Sequence, residues 1–432
     1  MNGCKSCVMV LIAVFLLPNV AASDDAAKEA CEKGKACFDK RDYAGAVAAY
    51  SEAVRIDPKN AKAYASRGWT LACKENLDTA LAEAFRPDPQ LVATDSLLSP
   101  ARVPDERYDS AIADFAEAVR INPKLADAYL KRGSIYAVKG RYDEAISDTT
   151  VAIELDPNLA RAYQIRGWAY AKKGNYDEAR FNCTWAIWLD PKDVHAYKIR
   201  IAVCTHMGDV ERALADCTEA IRLVPHDAEL HGCQGQLFRK KGDYDNVISA
   251  YTEVIRLEPK AWTAYINRAW AYEMKGEYDK VIADCTAAIR LDPKNAEMYK
   301  LRGEANRLKH EYDKAISDYT EGIRLNSRET SACDSRNNGH RIQSGREKVF
   351  AELTKAILFN SNVAYYGRGL AYHAKGDYGN AIADFTVFID CDRYNPEGYL
   401  KRANAYRKSG DNAKADEDIA QAKKLGYKEK KD

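Results

Sequence analysis

Prolines set a fixed interval in this chain. They stand at Pro58, Pro123, Pro157, Pro191, Pro225, Pro259 and Pro293, and the last five intervals are each 34 residues. The first interval is 65, which is 34 plus 31. Each proline closes a version of one phrase: AIRLDP at 288–293, AIELDP at 152–157, AVRINP at 118–123. A second phrase precedes it, read as YLKRGSIYAVKGRYDEAI at 129–146 and YQIRGWAYAKKGNYDEAR at 163–180. A constant period of this length restricts a chain to a linear array of like supersecondary units.

The letters decide what one unit is. Apolar residues recur at helical spacing in two segments of about 13 residues, so each unit holds two amphipathic helices. Gly140, Gly174, Gly208, Gly242 and Gly276 fall between the segments and permit a tight turn. Asp-Pro or Asn-Pro ends the second helix. Small residues such as Gly133, Gly167, Ala145 and Ala213 let the paired helices approach closely. Neither helix can bury its apolar face alone, so neighbouring units must stack.

A 34-residue period with this pattern of Gly, Tyr, Ala and Pro resembles the tetratricopeptide repeat family. The resemblance covers nearly the whole chain after residue 26. It implies an all-α fold, a right-handed α-solenoid of stacked antiparallel helix pairs. On this frame eight units occupy 27–329, a degenerate ninth occupies 330–361, and two more with a C-terminal cap occupy 362–432, about eleven in all.

Two places break the period. The second unit carries about 31 extra residues at about 74–104, with Pro87, Pro89, Pro100 and Pro104 and a short helical stretch near 77–85. This reads as a loop whose tip projects from one edge of the solenoid. In the ninth unit the first helix gives way to SRETSACDSRNNGHRIQSG at 327–345, read as a frayed segment and a hinge before the last two units.

One pair of positions changes together. Counting each unit from its first residue, position 7 is Arg67, Arg132, Arg166, Arg200, Arg268, Arg302, Arg336, Arg368 and Arg402. Position 23 of the same units is Asp114, Asp148, Asn182, Asp216, Asp284, Asp318, Glu352, Asp384 and Asp418. The first unit has Lys33 with Ala49, and the sixth has Gln234 with Ala250. Where the arginine is missing, the polar partner is missing from the same unit. Pairing between units would set Asp216 against Gln234, so the spacing predicts a bridge within each repeat.

The N-terminus differs from the rest. Lys5 precedes an unbroken apolar run at 8–17, then Pro18 and small residues at Val20-Ala21-Ala22-Ser23. This order is that of a signal peptide over 1–22, which implies export to the periplasm or the extracellular space. Ten apolar residues are too few for a stable membrane span.

Lys plus Arg number 65 against 64 Asp plus Glu, so no global field draws the chain to nucleic acid. His195, His206, His226 and His231 lie close in sequence to Cys204, Cys217 and Cys233. His195 and His206, however, fall roughly 16 Å apart along one helix, too far to share one metal ion. Cys183, Cys217 and Cys285 occupy position 24, where other units carry Tyr or Phe, and read as small buried hydrophobes. Export permits disulfides, with Cys204 to Cys183 or Cys217 the best-placed pairing. No phosphate loop, nucleophile elbow or zinc-helix motif occurs. No catalytic residue, metal or cofactor is expected, and the chain reads as a non-enzyme.

The family resemblance implies that first-helix positions 2, 5, 9, 12 and 13 line the concave groove. Position 9 is Trp69, Trp168 and Trp270 in three units, and basic residues surround them at Arg161, Lys172, Lys198 and Arg239. Flat aromatic anchors and charges of both signs suit a peptide or protein partner. Packing of each tryptophan against the neighbouring first helix is the competing reading. A second functional reading makes the chain an envelope assembly component that uses the convex face or the 74–104 insertion.

Overall fold

The computed structural model describes residues 24–84, 108–337 and 362–427, and every regular element among them is a helix. Helix α1 (24–39) is followed by α2 (Tyr43–Ile56), and α3 (Ala61–Lys74) and α5 (Asp109–Ile121) pack together with the short α4 (Leu77–Ala84) between them in sequence. The two-helix repeats continue as α6 (Ala126–Val138) and α7 (Tyr142–Leu155), α8 (Ala160–Lys172) and α9 (Tyr176–Leu189), α10 (Val194–His206) and α11 (Val210–Leu223). Then come α12 (Ala228–Lys241) and α13 (Tyr244–Leu257), α14 (Trp262–Met274) and α15 (Tyr278–Leu291), α16 (Ala296–Leu308) and α17 (Tyr312–Asn337). The last two pairs are α18 (362–375) with α19 (Tyr378–Cys391) and α20 (Pro396–Ser409) with α21 (Asn412–Lys424). The all-α class read from the sequence is the class observed.

Local chemistry sets the ends of each helix. The turn residue takes a left-handed conformation, with φ of 76° at Gly140 and 79° at Gly174, where a Cβ would be strained. An aspartate often follows and caps the second helix, as Asp209 does by accepting from the Arg212 amide. At the far end the residue before proline is extended, φ −143° at Asp156, which stops the helix. Helix α17 shows the converse. Asn326-Ser327 stand where Asp-Pro stands elsewhere, no breaker is present, and the helix runs on to Asn337. Close approach of the two helices rests on glycine at position 8. A Cβ on Gly167 would sit 2.9 Å from Cys183 Sγ and 3.2 Å from the Ala179 carbonyl oxygen.

The predicted bridge is present in every described repeat that has both residues. Arg132 holds Asp148 through Nε and Nη2 at 2.7 and 2.8 Å, and Arg200 holds Asp216 at 2.8 and 2.6 Å. The same forks join Arg67 to Asp114, Arg268 to Asp284, Arg302 to Asp318, Arg368 to Asp384 and Arg402 to Asp418. Arg166 donates to the Asn182 side-chain oxygen at 2.7 Å. The carboxylates are buried, Asp216 at 4% exposure. Each bidentate fork therefore lies inside the repeat, where losing one partner costs far more than at a surface. The Arg336–Glu352 pair lies outside the described side chains.

The third guanidinium nitrogen adds what the sequence reading did not foresee. It reaches a hydroxyl on the second helix of the preceding repeat: Arg200 to Thr184 at 3.0 Å, Arg268 to Thr252 at 3.0 Å, Arg402 to Thr386 at 3.1 Å. One arginine thus ties its own two helices and the repeat before it.

This ladder corrects the reading of 330–361. Arginine and hydroxyl are normally 16 residues apart, but Arg368 donates to Thr320, 48 residues away. A second contact between neighbouring repeats, from lysine to aspartate, normally spans 30 residues, as in Lys139–Asp109, but Lys375 reaches Asp313 over 62. Both separations are longer by 32, the length of the segment 330–361. The tenth repeat therefore makes with the eighth the contacts that adjacent repeats make elsewhere. Ala364 and Ala371 of α18 complete an apolar cluster with Ala315 and Tyr319 of α17. A ninth repeat standing between them, or a hinge at that joint, does not fit these bonds. Residues 338–361 themselves lie outside the described residues.

The insertion in the second repeat also behaves differently at its start. Helix α4 packs against α3 and α6, with Leu77 fully buried and Leu81 2% exposed. Its beginning is folded onto the first helices, where its leucines join the core. The tip of the insertion lies outside the described residues. The chain forms two compact bodies, Met1–Leu237 and Phe238–Asp432, and the division falls within α12 of the sixth repeat.

Candidate functional site

Position 9 of the first helix puts its three tryptophans in unequal surroundings. Trp168 is 1% exposed, packed edge-on against Tyr142 with ring centroids 5.6 Å apart. It belongs to the core that includes Ile165, Ile199 and Val203, so it has no face left to offer a partner. This overturns its assignment as a groove anchor, and the reading that such tryptophans pack between helices holds for it. Trp69 and Trp270 are half-buried. Trp270 packs edge-on against Tyr244 at 5.7 Å.

Each ring carries a cation. Lys131 stands 4.6 Å from the Trp69 centroid, Lys172 5.5 Å from that of Trp168, and Arg239 5.5 Å from that of Trp270. The candidate residues Trp168 and Lys172 are thus brought together in the first body, and Trp270 and Arg239 in the second. The cations come from three register positions, 6, 13 and 12, which is why a column-by-column reading gave no hint of the pairing. Such contacts contribute about 0.5–2 kcal/mol, more as water is excluded.

The charges between repeats four and six form a graded set. Lys198 is nearly buried and bridges Asp227 at 2.7 Å and Glu229 at 2.8 Å. Burial opposes its charge, but the two carboxylates outweigh that and hold the ammonium above its ordinary range. Lys198 is therefore a structural tie between α10 and the start of α12. Gln164 makes the equivalent tie in the preceding repeat, donating to Asp193 at 2.9 Å.

Arg161 and Lys172 differ from Lys198. Both lie on α8, three turns apart, and both are substantially buried. Desolvation lowers the Arg161 guanidinium against the opposing pull of Asp193 and Asp78, and pushes the Lys172 ammonium down to about 8. Desolvation also lowers His195, which feels the Arg161 charge. This face concentrates positive charge in a dry setting.

His206, His231 and the cysteines of the fourth to seventh repeats have structural surroundings. His206 lies over Tyr176 with centroids 4.1 Å apart, and His231 meets the Pro225 carbonyl oxygen at 3.1 Å. Cys183, Cys217 and Cys285 are fully buried, as position 24 implied. The Cys204 thiol is pushed up to about 11 and that of Cys233 to about 12 by burial, far from the thiolate a nucleophile requires. Cys183, Cys204 and Cys217 are all thiols, and the pairing of Cys204 with either neighbour is not made. Among the described residues no helix is long and apolar enough to cross a membrane.

Family models agree with this geometry. Models described as TPR repeat or tetratricopeptide repeat match residues 34–72, 98–160, 150–181, 229–260, 262–295 and 363–386. This chain is a tetratricopeptide repeat protein. No curated protein matches it. Among solved structures, the C-terminal part of a TPR repeat-containing protein from Cytophaga hutchinsonii is 17% identical with a TM-score of 0.50, covering 63% of this chain and 98% of its own. A tetratricopeptide repeat protein from Parabacteroides merdae is 16% identical with a TM-score of 0.39, covering 69% and 98%. YrrB, titled a TPR protein with an unusual peptide-binding site, is 23% identical with a TM-score of 0.39, covering 41% and 92%. At these identities the likeness is one of fold.

Proposed function

We propose that this tetratricopeptide repeat protein is a non-catalytic interaction scaffold that holds an extended peptide carrying acidic side chains against its first helices. One observation carries the reading. Arg161 and Lys172 are held on the same helix in surroundings dry enough to depress both charges. Two cations on one helix set a positive potential at this face, so it favours an anionic guest. Trp69, half-buried and already under a cation, supplies apolar wall in the same body. The apolar run at 8–17 after Lys5 supports export of the chain, and fractionation of cells producing it tests that.

Fluorescence anisotropy with labelled peptides matched in length tests the binding mode. Glu-rich peptides are expected to bind more tightly than Lys-rich ones, and Lys172→Ala to weaken them about tenfold. The pH dependence has a definite sign. Lys172 is cationic below about 8 and loses its proton as pH rises through that value. Affinity should therefore fall above pH 8 in the native chain and lose that fall in Lys172→Ala. Equal affinity for both peptide classes would end the proposal.

A further inference from the structure

We propose that the exposed face of α9, the second helix of the fourth repeat, is the core of a contact between two copies of this chain. The repeats themselves provide the control. Position 22 on the second helix is Ala or Ser in eight of the nine other described repeats. Positions 26 and 29 hold Glu and Arg in five of them, bridged one turn apart on the surface. In the fourth repeat the same three positions are Phe181, Trp185 and Trp188, exposed at 55, 39 and 68%.

These rings form one surface. Trp185 lies 5.3 Å from Trp188 and 6.3 Å from Phe181, and it stacks on Tyr163 at 6.0 Å. The repeat's own packing does not call for them, because Ala179, Cys183, Ala186 and Ile187 fill the buried side of α9. Aromatic side chains bury about 150–250 Å² each, so the exposed area of the three comes to roughly 300–400 Å². That matches the size of functional patches on soluble chains. It is about half of the roughly 800 Å² that each partner contributes to a standard interface, enough for the apolar centre but needing a polar rim.

A second copy supplies that rim. A two-fold axis along the stacking direction lays α9 antiparallel on its mate, with Trp185 opposite Trp188 in both directions. The same operation lays α11 antiparallel on its mate. Glu219 and Arg222, which hold positions 26 and 29 there, then face each other with opposite charge. Neither lone glutamates nor lone arginines would gain from such a contact, but a Glu–Arg pair is complementary to its own reverse. A formal net charge of +1 leaves no long-range repulsion to oppose it.

Sedimentation velocity of the full chain from about 1 to 100 µM tests this beside Phe181→Ala/Trp185→Glu/Trp188→Arg, which restores the residues the other repeats carry. The native chain should form a dimer and the triple variant should associate at least about thirtyfold more weakly. Because Trp185 stacks on Tyr163, a second variant, Trp188→Arg alone, removes only the most exposed ring. It should weaken association about tenfold at an unchanged circular dichroism spectrum. A native chain that stays monomeric throughout, or variants that associate as it does, would overturn the proposal.

Discussion

The fifth and sixth repeats share their apolar pattern and differ in how their helices are tied. In the fifth, Arg200 descends from α10 to Asp216 on α11 and reaches sideways to Thr184 on α9. In the sixth, Gln234 and Ala250 stand at the corresponding positions, while Val247, Tyr251 and Val254 still fill the buried side of α13. The boundary between the two compact bodies lies at Leu237, three residues past Gln234. The apolar side of α13 is thus kept where the fork is not. In the fifth repeat the fork and its sideways hydroxyl bond tie three helices, and the sixth repeat carries neither residue of the fork. The first repeat also lacks the fork, with Lys33 and Ala49 at the two positions.

The largest expected effect comes from breaking the fork where it is complete. Asp216→Ala leaves the Arg200 guanidinium, whose side chain is 14% exposed, without its carboxylate. The cost should be about 3 kcal/mol, a fall in melting temperature of roughly 6–12 °C for a body of this size. A change within 2 °C by calorimetry would show the fork to be incidental. Cutting only the sideways bond is milder. Thr184→Val should cost about 1 kcal/mol, and a double-mutant cycle with Arg200 separates that bond from ordinary packing. The smallest effect is a gain. Installing the missing pair as Gln234→Arg with Ala250→Asp should stabilise the sixth repeat by about 0.5 kcal/mol. Slower amide exchange in α12 and α13 for the double variant, and not for either single one, would register it.

The two interruptions of the period sharpen the same lesson. About 31 residues are added inside the second repeat, yet Arg67 still meets Asp114 across a separation of 47. Another 32 stand between the eighth and tenth repeats, yet Arg368 still meets Thr320. The cost of closing a longer connection grows only slowly with its length, so the ladder closes over both. The sequence shows where the period breaks. It could not show that the tenth repeat packs on the eighth, because spacing along the chain does not say which neighbours touch.

Everything periodic was legible in the amino acids alone: the helix pair, its turn glycine, its proline stop, the buried cysteines at position 24 and the pairing of arginine with acid inside one repeat. A residue pair that is present or absent together within one chain reports a contact, and every described fork obeys it. Tertiary packing settled the fate of side chains that share a register position. Trp69, Trp168 and Trp270 occupy the same position, yet only Trp168 is sealed, under Lys172 and against Tyr142. Lys198 and Lys172 are both basic residues on first helices, yet Lys198 sits between two carboxylates while Lys172 is pushed down to about 8. Position along a repeat fixes the direction in which a side chain points. Its burial and charge depend on what neighbouring repeats place in front of it, and that varies from one repeat to the next.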